Sequence, residues 1–343
     1  MKQAVMTEPG IIEFREVPLP EIRADEVLIR IMRIGVCGSD IHVYHGRHPY
    51  TSYPVVQGHE VSGRVEKVGS KAKSLIPGDK VTIQPQVVCG HCYSCLHGNY
   101  HICDNLKVMG FQTTGAASEF FAVPASKVMK LPDQMSYEHG AMVEPAAVAA
   151  HALRRAGEVS GKRILVLGAG PIGNLVAQAA RGLGAKAVMV TDISDFRLSV
   201  AAKCGVAQGV NPKKQDLRTA IVRHFGPDRA DLILECIGAE PTIEQAVAQA
   251  RKGTDIVVVG VFGEKPRVDL GLVQDRELRL IGTLMYQEED FCTAIELISH
   301  GKVNLSPLVS NSFSFQDYLK AYEYIDEKKD KTMKVVIRVQ EED

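Results

Sequence analysis

Four cysteines lie close together in the first third of the chain, at Cys89, Cys92, Cys95 and Cys103. Thiolates at this spacing can surround one zinc ion tetrahedrally, and a site filled entirely by protein ligands stabilises a loop without carrying out chemistry. Disulfide bonds and an iron–sulfur cluster are the alternative uses of such cysteines. The spacing favours the first interpretation and predicts a structural zinc in a lobe at residues 86–105.

A second set of potential ligands is spread along the chain and comprises Cys37, His59, Glu60 and Glu144. Thiolate, imidazole and carboxylate groups suit zinc, and a catalytic zinc leaves one position open for water or substrate. Each residue also has an ordinary structural interpretation, as a core cysteine, a loop histidine or an acid at the start of a helix. Spacing alone does not separate these interpretations, but the combination predicts a catalytic zinc site.

Two residues that follow Cys37 could move a proton. Ser39 and His42 carry a hydroxyl and an imidazole, which together could pass a proton from a substrate hydroxyl to solvent. Histidine suits the terminal position because its ordinary pKa lies near working pH. We interpret Ser39 and His42 as a catalytic relay; a surface histidine is the alternative for His42.

The glycines at Gly168, Gly170 and Gly173 form the pattern G-x-G-x-x-G between an apolar segment and a helical one. At such a turn the glycines let the backbone approach a pyrophosphate, and the helix N-terminus offers free N–H groups to the phosphates. Ile172 lies in the same turn and is counted with the cofactor-binding residues. The pattern predicts a dinucleotide site, and a fold that has lost its cofactor is the alternative.

Asp192 follows Gly173 by 19 residues, at the end of the next predicted strand. An acid at this point can accept a hydrogen bond from the ribose 2′-hydroxyl and would repel a 2′-phosphate, which favours NAD over NADP. Arg197 complicates this prediction, because its guanidinium could stack on adenine or assist a phosphate.

Alternating strands and helices must position the dinucleotide site. Apolar segments at 163–167, 187–192, 230–235, 255–259 and 278–281 are predicted strands. Helical patterns separate them, and this alternation is typical of a doubly wound parallel sheet. The first third is instead rich in Gly, Pro and β-branched residues, which predicts an irregular β-rich domain. Further helices are predicted at 291–299 and 316–328, and a final strand at 333–339.

Length and charge limit the classes of function. The 343 residues are enough for two domains, and a net charge of −1 gives no electrostatic reason to expect a nucleic-acid partner. The chain has no apolar run near the ~18 residues of a membrane span and no apolar stretch of a signal peptide at its start. We therefore expect no membrane partner and a cytoplasmic location, where cysteines stay reduced and available to metals.

Together these residues resemble the zinc-containing medium-chain dehydrogenase/reductase superfamily over essentially the whole chain. Residues 35–42 resemble its first zinc-ligand segment, residues 58–63 its G-H-E-x-x-G signature, and the four-cysteine loop its structural zinc lobe. Residues 142–146 resemble the V/I-E-P segment of the polyol (sorbitol) and threonine dehydrogenase branch. Dehydrogenases of ethanol-like substrates carry a cysteine at the comparable ligand position, and this sequence departs from them there.

The resemblance implies an α/β fold in which a Rossmann doubly wound parallel sheet is inserted in a chaperonin-10-like, β-rich catalytic domain. We assign residues 1–152 to the catalytic zinc domain, 153–288 to the NAD-binding Rossmann domain and 289–343 to the C-terminal return to the catalytic domain. The implied cofactors are NAD and two zinc ions, one catalytic and one structural.

In the polyol branch, the acid after the zinc histidine can also bind metal. The resemblance therefore leaves Glu60 and Glu144 as alternatives for the third ligand, directly or through water, with exchange during turnover. Because His59 and Glu60 are adjacent, both can face one ion only if the backbone bends sharply. Arg47 and His48 lie between the two ligand segments and are candidates for contacting a substrate carboxylate or hydroxyl.

The implied activity is zinc-dependent oxidation of a polyol or sugar-derived secondary alcohol to a ketone, with hydride transfer to NAD. The substrate would be a small polar alcohol. L-Threonine 3-dehydrogenase is an alternative that shares the zinc motifs, and a non-catalytic dinucleotide-binding relative is an alternative from another class. Similar proteins are commonly tetramers, so we expect a homo-oligomer, a tetramer or a dimer, and residues 278–285 could pair strands across subunits.

Overall fold

A computed structural model describes residues 1–342 of the chain. Its strands are β1 (Lys2–Glu8), β2 (Ile11–Glu16), β3 (Glu26–Val36), β4 (Glu60–Val68), β5 (Lys80–Ile83), β6 (Gln86–Val87), β7 (Lys107–Val108), β8 (Phe120–Pro124), β9 (Val128–Lys130), β10 (Arg163–Leu167), β11 (Ala187–Thr191), β12 (Gly209–Val210), β13 (Leu232–Glu235), β14 (Asp255–Val258), β15 (Arg279–Gly282), β16 (Val309–Ser314) and β17 (Lys334–Arg338). Its helices are α1 (Gly38–Tyr44), α2 (Tyr93–Leu96), α3 (Tyr137–Ala141), α4 (Val143–Arg155), α5 (Pro171–Gly182), α6 (Asp195–Lys203), α7 (Leu217–Phe225), α8 (Glu240–Gln249), α9 (Leu270–Asp275), α10 (Glu288–Ser299) and α11 (Tyr318–Lys328). None of these helices is both long and apolar enough to cross a membrane.

The chain folds into two compact units. The first contains residues 1–144 and the segment that starts at Val309, and the second contains residues 145–308. The boundary predicted after residue 152 lies inside α4, and the boundary predicted after residue 288 follows the first residue of α10. Sequence patterns indicate elements, whereas a unit boundary depends on which contacts each element makes, and the sequence does not display those contacts.

In the first unit, the strand order of the main sheet is β16-β17-β3-β4-β5-β9, and β8 also pairs with β3. Strand β3 is buried along most of its length because its apolar side chains pack into the core of this unit. It pairs antiparallel with β4 on one side and with β17 on the other. The C-terminal segment thus returns to the strand that leads into Cys37.

In the second unit, the strands lie in the order β12-β11-β10-β13-β14-β15 and all pair in parallel. The central strands β10 and β13 are almost entirely apolar and buried, as expected where helices cover both faces of a sheet. From β10 the chain first builds the sheet in one direction, through β11 and β12, and then in the other, through β13 to β15. This change of direction creates a crevice at the carboxyl ends of the strands. The predicted doubly wound parallel sheet is confirmed, and its first turn carries the glycine pattern.

Candidate metal and cofactor sites

Cys37 lies between β3 and α1, at the start of the helix. Its backbone is extended (φ −88°, ψ 156°), and its N–H donates to Oδ2 of Asp40 at 2.9 Å. Its carbonyl accepts from the N–H of Asp40 at 3.1 Å, so the first turn of α1 is closed on both sides. Because these bonds fix the backbone, the Cys37 thiol has a defined direction at the end of a buried strand.

A sharp bend precedes His59 and Glu60, as their shared orientation requires. Gly58 has φ +95°, which favours glycine, and a Cβ there would lie 3.0 Å from the N atom of Ala117. Glu60 opens β4 and pairs with Gly35 on β3. A Cβ on Gly35 would lie 2.3 Å from Oε2 of Glu60, so glycine at that position leaves room for the carboxylate.

Cys37, His59 and Glu60 each offer a ligand atom, and these atoms all lie within 4.8 Å of one another. Neighbouring ligands of a tetrahedral zinc are separated by about 3.3–3.8 Å, so the grouping fits that ion. Glu144, at the start of α4, is buried but does not belong to this group among the described residues. The structure therefore brings together three of the four residues predicted as ligands of this site.

The electrostatic surroundings of His59 favour a positive charge. Burial opposes protonation of the imidazole, but the carboxylate of Asp40 and the sulfur of Cys37 outweigh it and raise the pKa of His59 well above its usual value. Nδ1 of His59 is buried, and no hydrogen-bond partner for it exists among the described residues. A cluster that stabilises a buried cation and contains thiol, imidazole and carboxylate donors fits zinc.

Glu60 already has a buried counter-ion. Nζ of Lys334, the first residue of β17, donates to both carboxylate oxygens of Glu60 at 2.7 and 2.6 Å and to the carbonyl of Val36 at 3.2 Å. Burial lowers the pKa of Lys334, but the charges of Glu60, Cys37 and Glu144 outweigh it and raise the pKa above its ordinary value. Lys334 is therefore the direct counter-ion of Glu60 and is also influenced by the charge of Glu144, the other acid proposed as the third ligand.

The proposed relay residues lie one turn apart on α1, which places them on the same side of the helix. Ser39 is half-buried and His42 is exposed. His48 stacks on Phe111 with ring centroids 4.8 Å apart, and Phe111 also contacts His59 at 4.9 Å. Through Phe111, this predicted substrate contact lies near the metal cluster. Burial and the charges of His42 and His59 lower the pKa of His48.

The four cysteines of the lobe also converge, with their sulfur atoms within 4.8 Å of one another. The sulfurs of Cys92 and Cys103 are 3.9 Å apart, which is far too long for a disulfide but close to the ~3.8 Å of two thiolates on one zinc. Backbone N–H groups of His91 and Cys92 lower the pKa of Cys89 to about 6, which favours its thiolate. The convergence of the four sulfurs, their separation and the lowered pKa of Cys89 fit the structural zinc.

The glycine turn connects β10 to α5. Gly168 has φ +101°, and a Cβ there would lie 2.6 Å from the side chain of Ile237. A Cβ on Gly173 would lie 1.9 Å from the carbonyl oxygen of Gly168, so only glycine permits this closure. Gly170 caps α5, Pro171 begins it and Ile172 is half-buried in the first turn. Free N–H groups at this helix start fit a pyrophosphate.

Asp192 braces the same turn. Its Oδ2 accepts from the N–H of Ala169 at 2.9 Å and its Oδ1 from the N–H of Ser194 at 2.8 Å. Nη1 of Arg197 is 3.9 Å from Oδ2. Carboxylate oxygens accept more than one hydrogen bond, so Asp192 can hold the turn and still face a ribose hydroxyl. Sequence analysis did not anticipate the bracing role.

Sequence analysis also missed Glu235, the fully buried last residue of β13. Its carboxylate accepts from the N–H groups of Ile237 and Gly238 and from the hydroxyl of Thr242 at 2.7–2.9 Å. These bonds organise the loop after β13, beside the glycine turn. An acid at the carboxyl end of a central strand was the available signal, because such positions border the crevice of a doubly wound sheet.

Comparison with known proteins decides the family. A family model described as "Alcohol dehydrogenase GroES-like domain" matches residues 23–133, and one described as "Zinc-binding dehydrogenase" matches residues 171–300. The 2-dehydro-3-deoxy-L-galactonate 5-dehydrogenase of Pseudoalteromonas atlantica is 37% identical over 89% of this chain and 89% of its own. The chain belongs to the zinc-binding dehydrogenases. The L-threonine 3-dehydrogenase of Pyrococcus horikoshii is a further relative, 33% identical over 98% of both chains.

A solved zinc-binding dehydrogenase has the same architecture. The crystal structure of galactitol-1-phosphate dehydrogenase from Escherichia coli matches with a TM-score of 0.92 and 32% identity, over 99% of this chain and 100% of that chain. The predicted superfamily, the predicted fold class with its chaperonin-10-like domain, and the predicted enzyme class are therefore confirmed. As a zinc-binding dehydrogenase, the chain uses zinc and a nicotinamide dinucleotide.

Proposed function

We propose that this zinc-binding dehydrogenase oxidises a polyol or sugar-derived secondary alcohol to a ketone and transfers the hydride to NAD. The observation that carries the proposal is the convergence of Cys37, His59 and Glu60 in a buried cluster that favours a cation. The same chain holds a glycine turn braced by Asp192, which suits a dinucleotide without a 2′-phosphate.

Residues near the metal cluster would take part in this chemistry. When bound, zinc supplies a Lewis acid for the substrate oxygen, and NAD accepts the hydride. Ser39 and His42 take the hydroxyl proton towards solvent, for which the exposure of His42 is suitable. His48 contacts a further polar group of the substrate, and Arg47, which is exposed on the same loop, is the other candidate for that contact.

We assign the third ligand to Glu60, with Glu144 as its replacement during turnover. The proximity of Glu60 to Cys37 and His59 supports the first part. The ammonium of Lys334 supports the second, because it hydrogen-bonds Glu60 and its pKa is raised by the charge of Glu144. A carboxylate that leaves the metal therefore keeps a counter-ion.

Oxidation of L-threonine is the second candidate, and the similarity to a threonine 3-dehydrogenase over 98% of the chain favours it. Both reactions convert a secondary alcohol to a ketone, so the zinc and NAD sites do not distinguish them. The sugar-acid and sugar-phosphate substrates in the names of the other two relatives favour a polyhydroxylated substrate.

A substrate panel tests the proposal. The zinc-loaded protein is assayed at 340 nm with sorbitol, inositol, hexonates and L-threonine, with NAD and NADP in parallel, and Cys37→Ala is the control. We expect NADH production from a polyol or hexonate, a higher kcat/KM with NAD, and no turnover by Cys37→Ala. Turnover of L-threonine alone would establish the second candidate. A protein that binds NAD and zinc but oxidises nothing would be a non-catalytic relative.

We further propose that the protein acts in the cytoplasm as a homo-oligomer, a dimer or a tetramer. Strand β15 lies at the end of its sheet, and the exposed leucines Leu280 and Leu284 lie on it and just beyond it. An exposed apolar edge strand can pair with the same strand of a second copy. The reduced, metal-binding arrangement of the cysteines supports the location.

A further inference from the structure

A chain of buried hydrogen bonds leads from the C-terminal segment to Asp40, which lies beside His59. The hydroxyl of Tyr322, on α11, donates to Oε1 of Gln57 at 2.9 Å. Nε2 of Gln57 donates to Oδ1 of Asp40 at 2.9 Å, and that oxygen lies 3.6 Å from Nδ1 of His59. All four side chains are at most 5% exposed. Because these side chains are buried in a low-dielectric environment, such bonds are strong and directional.

The direction of the Gln57 amide follows from its two neighbours. If the amide were reversed, its oxygen would face the carboxylate of Asp40, and two acceptors would be buried against each other. In the observed direction, the Gln57 nitrogen donates to Asp40, and the Gln57 oxygen accepts a hydrogen bond from the hydroxyl of Tyr322. The carboxylate of Asp40, which can only accept, therefore selects the nitrogen end of the amide, and the hydroxyl of Tyr322 donates to the end that remains.

The position of Asp40 depends on Gln57. Its other oxygen, Oδ2, accepts from the N–H of Cys37, so the carboxylate is held at one oxygen by the turn and at the other by the amide. Held in this way, Oδ1 lies 3.6 Å from Nδ1 of His59, just beyond hydrogen-bond distance, and a small shift of the ring would let it accept a hydrogen bond from that nitrogen. A ligating histidine whose one nitrogen donates to a carboxylate presents the other nitrogen to the metal and becomes more basic.

We propose that Gln57 and Tyr322 are positioning residues for the catalytic zinc, acting through Asp40 on the orientation of His59. The inference rests on the zinc site of the proposed function. Tyr322 stacks on Tyr318 with centroids 5.5 Å apart and contacts Tyr44 on α1, so its hydroxyl has little freedom. A residue of the C-terminal segment thus adjusts a ligand near the start of the chain.

Zinc release tests the inference. Gln57→Met keeps the length of the side chain and removes both hydrogen bonds, and Tyr322→Phe removes only the hydroxyl. Tyr324→Phe, on the same helix but outside the hydrogen-bond chain, is the matched control. Each zinc-loaded protein is mixed with a colorimetric zinc chelator, and the four-cysteine zinc of the same chain provides an internal reference.

We expect the zinc of the Cys37–His59 site to leave about tenfold faster from Gln57→Met and severalfold faster from Tyr322→Phe. The four-cysteine zinc leaves both variants at the wild-type rate. Tyr324→Phe releases the zinc of either site at the wild-type rate. If Gln57 and Tyr322 only stabilised the fold, their variants would change the release of both zinc ions or lower the melting temperature. The inference would be overturned if folded Tyr322→Phe released the zinc of the Cys37–His59 site at the wild-type rate. Wild-type protein with one zinc per chain would contradict the proposed function itself.

Discussion

His42 illustrates how exposure determines the part that a single residue can play. It lies on the outer face of α1, one turn after Ser39, whereas His59 is buried in the metal cluster. A histidine in water can exchange protons with solvent, and a buried one cannot do so freely. The terminal position of a relay therefore suits His42, and a ligand position suits His59.

The relay makes a prediction about pH. We expect His42→Ala to slow turnover, with a deficit that grows as pH falls, because hydroxide can replace the missing base only in alkaline solution. The measurement is kcat of wild type and variant between pH 6 and pH 10, with His300→Ala, an exposed histidine after α10, as the control. A constant ratio of the two rates across that range would remove His42 from the relay.

At the residue scale, the sequence predicts the groups that could bind metal or cofactor and misses the groups that hold those ligands in place. Cys37, His59 and the four lobe cysteines are recognisable because their residue types suit a metal. Lys334 and Gln57 are not, because their partners Glu60 and Tyr322 lie 274 and 265 residues away in the chain. Pairings of that kind depend on the register of β17 and the placement of α11, which no local pattern encodes.

At the scale of elements, a buried ion pair joins α4 to α10 within the second unit. Asp290 accepts from Nε of Arg154 at 2.7 Å and lies 2.8 Å from Nδ1 of His151. Burial alone would raise the pKa of Asp290, but these partners outweigh it and lower the pKa to about 2. Its pKa is thus lower in the folded chain than in the unfolded one, so the ionised carboxylate stabilises the fold.

We expect Asp290→Asn to lower the free energy of unfolding at pH 7 by about 2 kcal/mol. The difference from wild type should persist down to about pH 5 and shrink as pH falls from there towards 2, because both states then bind the proton. Urea unfolding at fixed protein concentration measures it, with the exposed Asp275→Asn as the control. A difference that increases on acidification would contradict the pairing.

The four-cysteine lobe is an element without a core of its own. Its helix α2 is one turn long, and exposed Tyr93 and Leu96 make up half of it, so the metal replaces packing. We expect Cys92→Ser to lose the structural zinc and to lower the melting temperature by about 5–10 °C. Calorimetry with zinc analysis measures this, and Cys292→Ser on α10 is the control. An unchanged melting temperature after zinc loss would argue against a structural ion.

The predicted helices and strands agree with the structure where the hydrophobic pattern is clear and Gly or Pro residues mark the ends of the element. The strands at 163–167 and 255–259 and the helix after the glycine turn have structural counterparts in β10, β14 and α5. Helix α7 was not predicted, although Asp216 caps it and its buried residues Leu217, Ala220, Ile221 and Phe225 repeat at helical spacing, because its nine residues form too short a pattern to stand out. Short amphipathic helices depend on the surface they cover more than on their own sequence.

At the scale of the whole molecule, β15 is the edge strand of the proposed homo-oligomer. If copies pair through β15, we expect Leu280→Lys to give smaller species than the wild type, because a charge on an edge strand disfavours pairing with another strand. Light scattering after size-exclusion chromatography measures the mass. Leu270→Lys on α9, which also exposes a leucine, is the matched control. If the Leu280→Lys variant kept the wild-type mass, subunits would have to associate through another surface.

The return of the C-terminal segment to β3 has a consequence for biosynthesis. Cys37 and His59 are synthesised before Tyr322 and Lys334, which follow more than 260 residues later in the chain. The four-cysteine lobe is encoded in one short stretch and can close around its ion while translation continues. The two metal sites therefore mature at different times, and a nascent chain that stalls before β17 holds a finished lobe beside an unfinished catalytic centre.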